Sequence, residues 1–248
     1  MAATDKIKVL VLGDSGVGKS SMVHLIAYGK PIGSSSWTIG ASVEVKLHEY
    51  CEGTPKEKSC FIELWDVGGS RAHMNARSVF YNSFHGIILV HDSTNSKSHS
   101  NLRKWLGEVF YSRDARMESA FNVNVGQFLG APPDEPLEFD MESFIEKNIP
   151  VLVVATKADL VTETNRRNRV STVAEDCSAE EIQVDCNQAK SFAPASTNAV
   201  KLSRFFDKVI ERKYRSFQQL PSYLDKNRPK PPQAFADVYG GQKFSHLD

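Results

Sequence analysis

The sequence predicts an α/β protein built on a doubly wound, mostly parallel six-stranded sheet with helices on both faces. Three observations lead there. Aliphatic runs of strand length recur along the 248 residues, helical patterns separate them, and the first run ends in a glycine-rich turn that opens straight into a helix. In such sheets ligands bind outside the carboxyl ends of the strands, so the loops at those ends are where function is sought.

The first strand is the run at 7–12, Ile7-Lys8-Val9-Leu10-Val11-Leu12, whose apolar character suits a strand covered on both faces. A helix over 19–27 follows, carrying Met22, Val23, Leu25 and Ile26 and stopping near Gly29 and Pro31. Residues 42–50 alternate apolar and polar side chains, the pattern of an edge strand with one wet face. Further strands are read at 61–65, 86–90 and 151–155, with a weaker one at 182–185. Ser196 and Thr197 are cap candidates for a last helix, in which Leu202, Phe205, Phe206, Val209 and Ile210 form a packed face extended by Tyr214 and Phe217. The rhythm breaks twice. Residues 117–146 contain Ala131-Pro132-Pro133-Asp134-Glu135-Pro136, which cannot continue a helix and marks an insertion. Residues 218–248, with Arg228-Pro229-Lys230-Pro231-Pro232, read as a flexible tail. The expectation is one domain over 5–217, with the insertion inside it and the tail after it.

Composition narrows the function classes. Lys and Arg number 30 and Asp and Glu number 30, so no charge excess exists to hold nucleic acid or an acidic membrane. No run approaches the roughly 18 to 20 apolar residues that span a bilayer, and the first residues lack a signal peptide's apolar core, so a soluble, cytoplasmic protein is expected. Cys51, Cys60, Cys177 and Cys186 form no C-x-x-C pair, which argues against zinc or a disulfide framework.

The chemistry is carried by Gly13-Asp14-Ser15-Gly16-Val17-Gly18-Lys19-Ser20, a match to the phosphate-binding pattern G-x-x-x-x-G-K-[ST]. A polyphosphate carries several negative charges; glycines let successive backbone N–H groups turn inward, and the helix start adds its positive dipole end. Asp14, Ser15, Gly16, Val17 and Gly18, with Lys19, Ser20 and Ser21, are the candidate phosphate-binding set. Lys19 would reach the β and γ phosphates and Ser20 would bind Mg²⁺. In Leu64-Trp65-Asp66-Val67-Gly68-Gly69, Asp66 can hold the magnesium shell and Gly69 can offer an N–H to the γ phosphate; alone, Asp66 would read as a turn residue. Thr156-Lys157-Ala158-Asp159 follows a buried strand. Its carboxylate, Asp159, can accept two hydrogen bonds from a guanine edge, which adenine does not offer, and the stem of Lys157 can lie across the base.

These three blocks, in this order, resemble the Ras superfamily of small GTPases. The phosphate loop has the form common among Rab proteins, and Trp65-Asp66-Val67-Gly68-Gly69 is similar to the Arf variant. The resemblance implies a P-loop GTPase fold, GTP and GDP with Mg²⁺ as ligands, and protein regulators and effectors that read switch I and switch II. It places switch I at Ser36-Trp37-Thr38-Ile39-Gly40 and switch II over about 67–82. Thr38 then completes a metal set of Ser20, Thr38 and Asp66, and Lys19, Thr38 and Gly69 become the catalytic set. The base-contacting loop falls at Asp185-Cys186-Asn187, so Cys186 and Asn187 join Thr156, Lys157 and Asp159 around the base.

The chain departs from the family at three places. Ser70 stands where the family has a catalytic glutamine, and its short hydroxyl is badly suited to orient a water, so slow intrinsic hydrolysis is expected. Thr156 replaces an asparagine that contacts the base and braces the phosphate loop, a loss of about 1 kcal/mol per neutral hydrogen bond. Phe244-Ser245-His246-Leu247-Asp248 holds no cysteine for prenylation and Ala2 excludes myristoylation, so no direct lipid anchor is expected and membrane association is indirect. The competing reading is a non-hydrolytic GTP-binding adaptor. Apolar residues near the switches, Trp37, Met74, Val79, Phe80, Tyr81 and Phe84, suggest a homodimer unless they pack on their own sheet.

Overall fold

The structure, a computed structural model, describes residues 5–120, 141–161 and 172–218. Its sheet has six strands: β1 (Asp5–Leu12), β2 (Ala41–Tyr50), β3 (Lys58–Val67), β4 (Gly86–Asp92), β5 (Val151–Thr156) and β6 (Glu180–Gln183). They lie in the order β2-β3-β1-β4-β5-β6. Only β2 runs antiparallel to its neighbour; the other pairs are parallel. The helices are α1 (Lys19–Tyr28), α2 (Met74–Arg77), α3 (Ser96–Ser100), α4 (Leu102–Ala120), α5 (Met141–Glu146), α6 (Thr172–Asp176) and α7 (Thr197–Gln218). None of the described helices is long and apolar enough to cross a membrane.

Period-two alternation in β1 explains the two layers. Ile7, Val9 and Val11 join one cluster with Met22 and Leu25 of α1 and Phe205, Phe206 and Val209 of α7. Leu10 and Leu12 join the other, with Leu102, Leu106 and Val109 of α4. Both faces are therefore apolar, as a parallel sheet requires. Gly29 caps α1, its N–H bonding Leu25 O, and the Ser196 hydroxyl accepts the Ala199 N–H at the start of α7. Leu202, Phe205, Phe206, Val209, Ile210 and Tyr214 are all buried, so the apolar stripe of α7 is the face laid on the sheet.

Two local features differ from the pattern-based expectation, and a third fills in what the pattern left open. In β2 the wet face is the apolar one: Val43, Val45 and Leu47 are exposed, whereas Glu44 and His48 turn toward the helices. Partners there decide the matter, because Tyr28 donates to Glu44 (2.6 Å) and His48 meets Asp207 of α7 (2.8 Å). The sixth strand begins at Glu180, two residues before the apolar signal at Ile182, because Leu152 pairs with Glu180. The region read as an insertion is helical at both ends, α4 running to Ala120 and α5 burying Phe144. The Pro-rich stretch at 131–136 and the tail beyond 218 lie outside the described residues.

Because β1, β3, β4 and β5 all point the same way, the loops after Leu12, Val67, Asp92 and Thr156 emerge at one end of the sheet.

Candidate functional site

The loop from Gly13 to Gly18 turns between β1 and α1. Gly18 caps α1 with φ of 96°, a left-handed conformation that a side chain would strain. Lys19 is 6% exposed, and its Nζ donates to the carbonyls of Gly13 and Asp14, both at 2.9 Å. Burial pulls its pKa down, while Asp66 and Asp14 oppose the shift. The ammonium is thus folded back along the loop that it would serve. Ser15 and Gly16 are exposed at the loop tip, Val17 is buried beneath it, and Ser20 and Ser21 are half-buried on the first turn of α1.

Ser20, Thr38 and Asp66 come together from three separate segments. Ser20 Oγ donates to Asp66 Oδ2 (2.5 Å), Thr38 Oγ1 to the same oxygen (3.2 Å), and the two hydroxyls lie 3.0 Å apart. Asp66 is fully buried, and its Oδ1 has no hydrogen-bond partner. Burial raises its carboxyl pKa, against the Ser20 bond and the Lys19 charge. An unpartnered buried carboxylate oxygen beside two hydroxyls fits a hard cation that keeps most of its ligands from outside the protein. Among the described residues no group of three or more His, Cys, Asp or Glu is placed to hold a metal ion.

Two glycines lock the switches onto the loop. Gly68 N–H donates to Gly40 O (2.8 Å), tying switch II to switch I. At Gly69 a Cβ would stand 2.5 Å from Ser15 N and 2.6 Å from Gly13 O, so only glycine allows this approach to the phosphate loop. Beside this junction a cavity of about 300 Å³ lies between α1, residues 32–39 and β2, reached by Ser20 and Thr38.

The base side is more open. Lys157 adopts φ of 55° and its Nζ pairs with Asp92 Oδ2 (2.6 Å). Asp159 is exposed, so the cost of an unpaired buried carboxylate arises there only once a ligand covers it. Asn187 donates its N–H to Asp185 Oδ1 (2.9 Å), and Cys186 is half-buried. Burial, with the charges of Asp185 and Asp159, pushes the Cys186 thiol up to about 12. The loops carrying Lys157 and Cys186 are joined where Ala158 N–H meets Val184 O (3.3 Å).

Thr156 corrects the expectation that its substitution loses the brace on the phosphate loop. Its hydroxyl, fully buried, bonds Val17 O and lies 3.0 Å from His91 O. The bracing therefore survives without the amide; the side-chain contact to a base is the part that a hydroxyl this short and already engaged does not supply.

Sequence reading missed four side chains that organise the site: Arg77, Asp92, Asn101 and Trp105. Asn101 and Trp105 both donate to the Asp14 carboxylate, and Asp92 holds Lys157. The signal that could have found two of them is the spacing of Asn101, Trp105 and Glu108 at i, i+4 and i+7, which puts these three hydrogen-bonding side chains on one helical face. Of the apolar and aromatic residues suspected of self-association, Tyr81 and Phe84 are buried and pack on the sheet, whereas Trp37, Met74 and Val79 are exposed.

Comparison with known proteins places this geometry. The family described as Roc, Ras of Complex, the Roc domain of DAPkinase, matches residues 8–123. The chain is 49% identical over 237 residues to Rab-like protein 3 of Mus musculus, covering 92% of this chain and 95% of that protein. It is 48% identical over 238 residues to Rab-like protein 3 of Danio rerio, covering 92% and 96%. To Rab-like protein 3 of Xenopus laevis it is 46% identical over 255 residues, covering 100% and 99%. With such identity sustained along nearly the whole of both chains, the chain belongs to the Rab-like protein 3 family, within the Ras-superfamily small GTPases.

Proposed function

We propose that the protein is a GDP/GTP-dependent molecular switch of the cytoplasm that binds guanine nucleotide with Mg²⁺ and hydrolyses GTP slowly when unaided. The observation that carries the proposal is the meeting of Ser20, Thr38 and Asp66, which joins the phosphate loop, switch I and β3 around one unpartnered carboxylate oxygen. Magnesium held by these three would neutralise charge on the β and γ phosphate oxygens.

The chain's own residues supply the rest. Lys19 sits where its ammonium can exchange the Gly13 and Asp14 carbonyls for phosphate oxygens, trading neutral acceptors for charged ones. The Gly69 N–H is carried to the phosphate loop and can donate to a γ phosphate. Lys157, oriented by Asp92, and Asp159 read the guanine, with Cys186 and Asn187 on the facing loop. Ser70 lacks the reach to hold an attacking water, and its own carbonyl is bonded by Arg77 (3.2 Å). Hydrolysis then awaits a protein that supplies the missing group. Regulators and effectors would read switch I and switch II, where Trp37, Ile39, Met74 and Val79 are exposed; a homodimer through the same residues, the 5–217 domain limits and an indirect route for any membrane association complete the proposal.

Single-turnover hydrolysis measured beside nucleotide exchange tests this. Stoichiometric guanine nucleotide on the purified protein and GTP cleavage slower than in glutamine-bearing relatives are expected. GTP that stays intact in cell extract, with partners binding the GDP and GTP forms equally, would favour the non-hydrolytic adaptor instead.

A further inference from the structure

A ring of contacts passes around the phosphate loop and switch II by way of α4. Asn101, Trp105 and Glu108 share one face of the α3–α4 junction, being four and three residues apart. Asn101 Nδ2 donates to Asp14 Oδ2 (2.7 Å) and Trp105 Nε1–H to Asp14 Oδ1 (2.9 Å). Both donors are buried, so water does not compete for that carboxylate from their side. A carboxylate gripped at both oxygens has one orientation, and the Asp14–Ser15 peptide is fixed with it.

The Trp105 ring carries the Arg77 guanidinium 4.3 Å from its centroid. Arg77 is 4% exposed and forks onto Glu108, Nε to Oε1 at 2.9 Å and one terminal nitrogen to Oε2 at 2.7 Å. Its other terminal nitrogen donates to Gly68 O (3.4 Å) and Ser70 O (3.2 Å), the carbonyls on either side of Gly69. Gly69 lies against Ser15 N and Asp14 C, which closes the ring. A buried guanidinium and a doubly bonded carboxylate are costly to leave unpaired, so the ring tolerates loss of one link poorly.

We infer that α4 sets the shape of the phosphate loop and of switch II together, with Asn101, Trp105 and Arg77 as positioning residues acting through Asp14 and Gly69. A displacement of α4 is felt at Ser15 and at Gly69 at once. The consequence for nucleotide release rests on the nucleotide-binding function proposed above; the mechanical coupling does not.

Two near-isosteric variants of the full chain test it: Asn101→Leu removes one donor to Asp14, and Glu108→Gln removes the charge that holds Arg77. Dissociation of labelled GDP and of a non-hydrolysable GTP analogue is measured, with amide hydrogen exchange over 13–18 and 68–70. Asn101→Leu is expected to speed release of both nucleotides by about fivefold or more, since a hydrogen bond to a charged acceptor is lost. Glu108→Gln should speed release of the triphosphate form and change GDP release by less than about twofold, and the double variant should fall short of the product of the two single effects. Each single variant should also raise exchange in both segments. Exchange confined to 13–18 in Asn101→Leu and to 68–70 in Glu108→Gln, with multiplying release rates, overturns the inference. If Asn101→Leu does not fold, Trp105→Phe keeps the aromatic ring and deletes its N–H, with the same expectations. Wild-type protein that takes up no guanine nucleotide overturns the proposed function instead, and the exchange data alone then decide the coupling.

Discussion

At the phosphate end of the cleft, Lys19 is almost covered, Asp66 is wholly buried, and Gly69 is pressed onto the loop. At the base end, Asp159 faces solvent, Leu160 is 65% exposed, and Lys157 is held chiefly by one carboxylate, that of Asp92. The phosphate end is assembled by the protein's own contacts; the base end presents groups whose partners must come from a ligand. At the phosphate end the loop, Asp66 and the Gly69 approach are already set and Lys19 has only to exchange the Gly13 and Asp14 carbonyls for phosphate oxygens, whereas an exposed carboxylate gains its selectivity only when the ligand excludes water. Affinity should therefore reside mainly at one end and discrimination at the other.

Lys19→Ala attacks the preassembled end and should weaken GDP binding by about a thousandfold, because two charge-assisted hydrogen bonds at about 1.5–3 kcal/mol each are lost. Calorimetric titration would show it, and a loss below about tenfold would break the comparison. Asp159→Ala should lower the preference for GDP over ADP by about a hundredfold while leaving phosphate-driven binding in place. Competition between the two nucleotides reads this directly. Thr156→Val leaves Val17 O without its donor inside the core and should speed nucleotide dissociation by about tenfold. Stopped-flow release would sharpen the comparison, since this residue links the two ends. Ser70→Gln should raise single-turnover GTP hydrolysis by about fivefold with affinity unchanged.

The smallest effect is expected at the far end of the sheet. The backbone N–H of His85 donates to Lys8 O (2.8 Å), and the backbone N–H of Lys8 donates to His85 Nδ1 (3.1 Å), so the ring must be unprotonated at Nδ1. Burial, reinforced by the Lys213 and Arg212 charges, pulls the His85 pKa down to about 4 from 6.5. A depressed histidine stabilises the fold fully above its unfolded pKa, and this contribution drains away as pH falls from 6.5 toward 4. Thermal melting should show wild type losing stability over that window and His85→Gln losing less, while the ratio of GDP to ADP affinity stays constant.

How much of this was legible in the chain follows the range of the interactions. The strands at Ile7 and Val151 and the stripe of α7 announce themselves because their patterns are local and both layers need apolar cover. The loop from Gly13 to Ser20 is legible for the same reason, since backbone shape and phosphate chemistry are written in consecutive residues. Thr156 is not, because its acceptor, Val17 O, lies 139 residues away. Nor is the inverted β2, where Tyr28 and Asp207 draw the polar side chains inward and leave valines in water. The exposure of Asp159 is not legible either, because the strand before it is buried and the chain turns outward only one residue beyond Ala158.

Trp37 is 83% exposed and adjoins Thr38, whereas Trp105 is 5% exposed on α4. The Trp105 indole is covered and engaged by Asp14 and Arg77, and Trp65 is half-buried, so Trp37 is the tryptophan that a solute quencher reaches most readily, without any label. Fluorescence and its quenching by iodide will thus follow closure of the segment around Thr38 in real time, giving the native chain its own optical gauge.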